Sequence, residues 1–103
     1  MDWSQSYKLT LKVGYKTEMG QSLCVVGNIE ELGGWKQFKA RMKWTEGHVW
    51  QITLEVTRPF FQYKYVVLEH DQPSRWEQGF NRICDLPLLS SQQNGSNQVS
   101  LTD

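Results

Sequence analysis

The chain has 103 residues and a mass of 12.1 kDa, the length of one domain with one modest core. Eleven Lys and Arg balance eleven Asp and Glu, and zero net charge argues against a partner held mainly by charge, such as a nucleic-acid backbone or an anionic bilayer. No apolar run approaches the roughly 20 residues of a membrane span. The start, Met1-Asp2-Trp3-Ser4-Gln5-Ser6, lacks the basic region and apolar stretch of a signal peptide, so the reading leans towards an intracellular setting, cytosol or plastid. Hydrophobic content of 39% with 21% charged residues suits a globular domain. Five Trp, four Tyr and four Phe are more aromatic surface than so small a core easily hides.

The apolar period along the chain is two. Tyr7, Leu9, Leu11 and Val13 alternate with Lys8, Thr10 and Lys12, the pattern of a strand with one buried face. Leu23 to Val26 form a short apolar run that ends at Gly27-Asn28, a turn signal. A helix fits only around residues 29–32, where Gly33-Gly34 ends it within about one turn. Trp50, Ile52, Leu54 and Val56 make a second alternating strand. In a third, Phe61, Tyr63, Tyr65 and Val67 face one way, and Gln62, Lys64, Val66 and Leu68 the other. Shorter strands are predicted near residues 41–44, 82–86 and 98–101. Residues 90–97 read as a long polar loop with a turn at Asn94-Gly95. Seven or eight short strands separated by turn signals predict an all-β fold, an antiparallel immunoglobulin-like β-sandwich or open barrel, filled by one domain over residues 1–103.

Neither a metal nor another cofactor is implied. Cys24 and Cys84 lack zinc spacing, and His48 and His70 each stand alone. The two cysteines read as free thiols in strands, or as one long-range disulfide in an oxidising compartment.

The informative residues are the aromatics that no strand face consumes. Trp35 follows Gly33-Gly34, and Trp76 lies in the polar stretch from residue 71 to 81. Trp44 and Trp50 flank a turn, and Trp3 sits in a terminal segment. A loop Trp presents a flat apolar face with a hydrogen-bond donor at one edge, which suits sugar rings, unpaired bases or Pro-rich peptides. Bases call for a basic groove that zero charge does not favour. Sugars also need hydroxyl partners close to the platform, and Lys64, Asn81 and Glu77 are of the right chemistry.

Three segments carry a resemblance. Val26-Gly27-Asn28-Ile29-Glu30-Glu31-Leu32-Gly33-Gly34-Trp35 is similar to the V-G-x-x-x-E-L-G-x-W motif of starch-binding domains, the family-20 carbohydrate-binding modules. Phe61-Gln62-Tyr63-Lys64-Tyr65 resembles that family's F-E-Y-K strand, and Arg75-Trp76-Glu77-Gln78-Gly79-Phe80-Asn81-Arg82 its x-W-E-x-x-x-N-R segment. Order and spacing agree from about Tyr7 to Asp103. The resemblance implies a non-catalytic sandwich that binds α-1,4-glucans (starch, glycogen, maltooligosaccharides, cyclodextrins) and is covalently linked to a catalytic domain. It implies a first site with Trp35 and Trp76 as platform and Lys64 and Asn81 as hydroxyl partners. A second, weaker site falls on Trp50, where an upstream tyrosine is replaced by Met19 and Trp44 stands in for a loop tyrosine. Phe80 occupies a position where the family usually has Pro or a small residue. Two other functions compete with this reading: a glycoside hydrolase using Glu77 and Asp85, and a peptide- or protein-binding sandwich that has lost glucan binding.

Overall fold

A computed structural model describes residues 6–103; Trp3 lies outside the described residues. Its strands are β1 (Tyr7–Gly14), β2 (Gln21–Gly27), β3 (Ala40–Arg41), β4 (Lys43–Thr45), β5 (Val49–Val56), β6 (Phe60–Glu69), β7 (Gln72–Trp76), β8 (Arg82–Asp85) and β9 (Gln98–Thr102). They form two sheets, one in the order β4-β5-β1-β9 and the other β3-β2-β6-β7, with β8 also paired to β6. The predicted β-sandwich is therefore the architecture observed.

The period-two pattern does what it should. Tyr7, Leu9 and Leu11 of β1 meet Leu23 and Val25 of β2, Trp50 and Val56 of β5, and Phe61, Tyr63, Tyr65 and Val67 of β6 in one buried cluster between the sheets. Burial of this apolar surface is the main driving force for folding. The strand β6 is the spine of the second sheet. Along one edge it pairs with β2 from Tyr63 to Glu69. Its other edge is shared: Phe60 to Tyr63 pair with β8, and Val66 to Glu69 with β7. Between those two partners the chain leaves the sheet as a loop, residues 77–81, opposite Lys64 and Tyr65.

Four features depart from the expectation. Residues 72–76, read as part of a polar stretch, form strand β7, and the described residues hold nine strands where seven or eight were expected. The sandwich is not wholly antiparallel, because β9 lies parallel to β1; a parallel neighbour requires a crossover, and none is visible in the apolar period. Residues 86–92, expected to be strand end and loop, form a helix, α1 (Leu86–Gln92). Asp85 caps it by accepting from the Leu88 N–H, and Pro87 sits in its first turn, where a missing N–H costs nothing. The turn at Asn94-Gly95 is present, both residues having positive φ. Finally, the sheet has a second buried layer: Cys24, Val26, Val66 and Leu68 on the outer face of β2 and β6 are buried beneath Trp35 and Phe38.

Cys24 belongs to that outer layer and Cys84 to the central core, and both are free. This resolves the two readings of the cysteines in favour of buried thiols.

Candidate functional site

The short helix between β2 and β3 is a 3-10 turn, Glu30–Trp35, and it ends in three consecutive residues with positive φ: Gly33 at 79°, Gly34 at 57° and Trp35 at 68°. Glycine adopts this conformation freely, whereas a Trp there is strained by about 1–2 kcal/mol. The left-handed turn carries the indole back over the sheet, where its packing on the outer layer offsets the strain. Gly27, at the end of β2, is needed for a different reason. A Cβ there would collide with the Gln62 carbonyl and the Leu32 side chain. The close approach lets Asn28 continue the ladder, its N–H donating to the Gln62 carbonyl at 3.1 Å and its Oδ1 accepting from the Gln62 N–H at 2.9 Å.

Trp76 reaches the same face from the other side. It pairs with Val66, whose side chain points outward, and it is 39% exposed. Its ring meets Phe38 edge-on at 5.8 Å between centroids. Trp35, Phe38 and Trp76 thus make one aromatic shelf over β2 and β6, built from residues far apart in sequence.

Lys64 projects from the same face, since Tyr63 and Tyr65 point inward. Its ammonium donates to the carbonyls of Glu77 (3.0 Å) and Gly79, fastening the 77–81 loop above the gap between β7 and β8. An ammonium has three donors, so one remains for a ligand. Asn81, at the far end of that loop, donates through Nδ2 to the Gln62 Oε1 at 2.9 Å, and its amide oxygen carries no bond in that pairing. Trp35, Trp76, Lys64 and Asn81 accordingly come together on one outer sheet face.

Glu77 does not join them as a hydroxyl partner. Its Oε2 accepts from Arg82 Nε at 2.8 Å and lies 2.7 Å from Nη2, and its Oε1 accepts from the Tyr65 N–H at 3.4 Å. The bond to Glu77 raises the Arg82 guanidinium above its usual pKa. Arg82 also lies 3.4 Å from Asp103, which accepts from the Tyr63 and Tyr65 hydroxyls at 2.8 and 2.6 Å. Burial first, then the bond to Asp103, pushes both phenols above the ordinary tyrosine range and keeps them neutral donors. This chain of bonds ties the loop to the core. No signal in the sequence marked Asp103 for it, because its partners lie 38 and 40 positions away.

The second set of aromatics is divided. Trp50 is only 6% exposed and belongs to the central core, where its indole N–H finds no acceptor among the described residues. It cannot serve as an exposed platform, because β5 turns it inward with Val56. Trp44, its register partner on β4, is exposed and donates to His48 Nδ1 at 3.3 Å. Met19 is also exposed. The carboxylates considered for hydrolysis are both engaged, Glu77 with Arg82 and Asp85 with the start of α1.

The fold and the site together describe a β-sandwich that presents an aromatic shelf with neutral amide groups at its rim, the form of a binding module. The profile of the starch binding domain family matches residues 6–96, and the chain belongs to that family. It is 28% identical over 88 residues to an AA13 family lytic polysaccharide monooxygenase A from Pyricularia oryzae, covering 80% of this chain and 23% of that protein. To an alpha-amylase from Streptomyces violaceus it is 33% identical over 73 residues, 69% of this chain and 13% of that one. The chain thus spans less than a quarter of the length of these relatives. A glycoside hydrolase family 15 glucoamylase from Hypocrea jecorina superposes with a TM-score of 0.80 at 22% identity, covering 95% of this chain and 17% of that one. The family 20 module of a maltotetraose-forming amylase from Pseudomonas saccharophila superposes with a TM-score of 0.66 at 16% identity, covering 93% of this chain and 99% of that one. The matched residues, 6–96, thus make up a starch-binding module.

Proposed function

We propose that this starch-binding module holds α-1,4-glucan chains of starch or glycogen on the outer face of the β2–β6–β7 sheet. Trp35 and Trp76 stack on the apolar faces of neighbouring glucose rings, and Lys64 and Asn81 bond their hydroxyls. The observation that carries the reading is the convergence of these four residues, from three separate segments, on one exposed face. A neutral polysaccharide also suits a chain of zero net charge.

Each stacking contact is worth about 0.5–1.5 kcal/mol beyond area burial, and each neutral hydrogen bond about 0.5–1.5 kcal/mol net. Less the cost of ordering, two platforms and a few bonds give dissociation constants on the order of micromolar to millimolar. So weak a module acts by raising the local concentration of an attached, glucan-active catalytic domain at its polymer. Retention on amylose or glycogen resin, released by soluble maltoheptaose, is the expected result. Passage straight through both resins would reject the reading and favour a sandwich whose partner is a peptide or protein.

A further inference from the structure

Phe80 is 99% exposed at the tip of the 77–81 loop. The loop beneath it is held at several points: Lys64 binds the Glu77 and Gly79 carbonyls, Glu77 binds Arg82, and Asn81 binds Gln62. The chain thus fixes a backbone post at the rim of the shelf and leaves a bare phenyl ring on it. Beyond Asn81 the apolar surface continues. Ile83 is the register partner of Gln62, so both point outward, and Phe60 lies two residues before Gln62 on that same face. Ile83 and Phe60 are both exposed. From Lys64 to Phe60 is four residues of strand, roughly 13 Å at about 3.3 Å per residue. Along that track, apolar groups are interleaved with the neutral amides of Gln62 and Asn81.

We propose that the glucan site extends past Asn81 into a further subsite, in which Phe80 and Ile83 contact sugar rings beyond those on the tryptophan pair. The inference rests on the glucan reading of this face. Alternating apolar and amide groups match a polymer with apolar ring faces and a hydroxyl edge. An aromatic side chain has only two torsions to fix on binding, so little freedom is lost when the ring is covered. The consequence is selectivity for chain length: a short oligosaccharide fills the Trp35–Trp76 shelf alone, while a longer one gains the added contacts.

The test is calorimetric titration of the whole chain with maltotriose and maltoheptaose, for the parent, Phe80→Ala, Ile83→Ser and the double variant. Both side chains are exposed, so the fold is expected to survive, and circular dichroism checks it. Maltotriose affinity should be unchanged, and maltoheptaose affinity should fall about three- to tenfold in the double variant. Parent-like maltoheptaose binding overturns the subsite; if Trp76→Ala meanwhile abolishes binding, the glucan reading itself stands. An equal loss for both sugars also overturns it, since Phe80 would then act only by shaping the shelf. Failure of the parent to bind either sugar rejects the subsite and the glucan reading together. Concentration-dependent self-association that disappears in Ile83→Ser, with sugar binding untouched, reassigns the strip to contact between copies and overturns the proposal.

Discussion

Glu77→Gln removes one negative charge and keeps the shape of the side chain, so it isolates the bond that fastens the 77–81 loop to the core. In the parent, Glu77 meets Arg82 at 2.7 and 2.8 Å. Hydrogen bonds to charged groups contribute about 1.5–3 kcal/mol. Here the two side chains are 24% and 39% exposed, and solvent screening reduces the figure to about 1–2 kcal/mol. In a domain of this size 1 kcal/mol moves the melting midpoint by about 4–8 °C, so a fall of about 5–15 °C is expected. Because Lys64 and Asn81 flank the same loop, glucan affinity should weaken only modestly, about three- to tenfold. Urea unfolding and thermal melts, with and without 0.5 M salt, read the first effect, and the gap between parent and variant should narrow at high salt. An unchanged midpoint together with complete loss of binding would refute the reasoning and make Glu77 a direct partner of the ligand.

Trp50→Ala should act on stability and not on the count of sites. Deleting a buried Trp costs about 3–5 kcal/mol, and calorimetry on any folded fraction should still give a single strong site; loss of a second binding event without a stability change would reinstate Trp50 as a platform. The thiols supply a pH dependence. Burial raises Cys24 to about 11 and Cys84 to about 12, both from an ordinary 9. A raised folded-state pKa gives stability that is complete below pH 9 and is lost as pH climbs through 9 to 12. The urea midpoint should therefore decline above pH 9, and less steeply in Cys84→Ala. Native protein at pH 8 should resist alkylation by iodoacetamide until urea is added; rapid native labelling would contradict the burial.

The strands of the sandwich were legible because alternation reports one buried face, and β1, β5 and β6 show it plainly. The outer layer was half legible. Val66 and Leu68 were seen to face away from the core, but nothing local showed that Trp35 and Phe38 would cover them. Trp35 therefore read as a free loop residue, although it is half-buried and holds part of the sheet. The helix α1 was hidden by its brevity: seven residues with a Pro and a Ser pair look like loop, and its cap is a single Asp. The parallel pairing of β9 leaves no trace in a periodicity that is the same for either direction. At the site, Trp35 could be inferred as a ring that no strand consumed, whereas Trp76, read as part of a polar stretch, ends strand β7 and pairs with Val66. The internal role of Glu77 could not be inferred, because its partner Arg82 lies five positions on and meets it only after the loop closes. Trp50 shows the converse: a residue matched to a family position can be drawn into the core by the strand that starts there.

Calorimetric titration of β-cyclodextrin into the parent and into Trp76→Ala tests the central claim most directly. Trp76 is partly exposed, ends its strand and meets Phe38 edge-on, so the variant should keep its circular dichroism spectrum. Saturable binding by the parent and none measurable in the folded variant is the predicted result. Equal binding by both proteins would contradict the account and move the glucan site away from this face of the sheet.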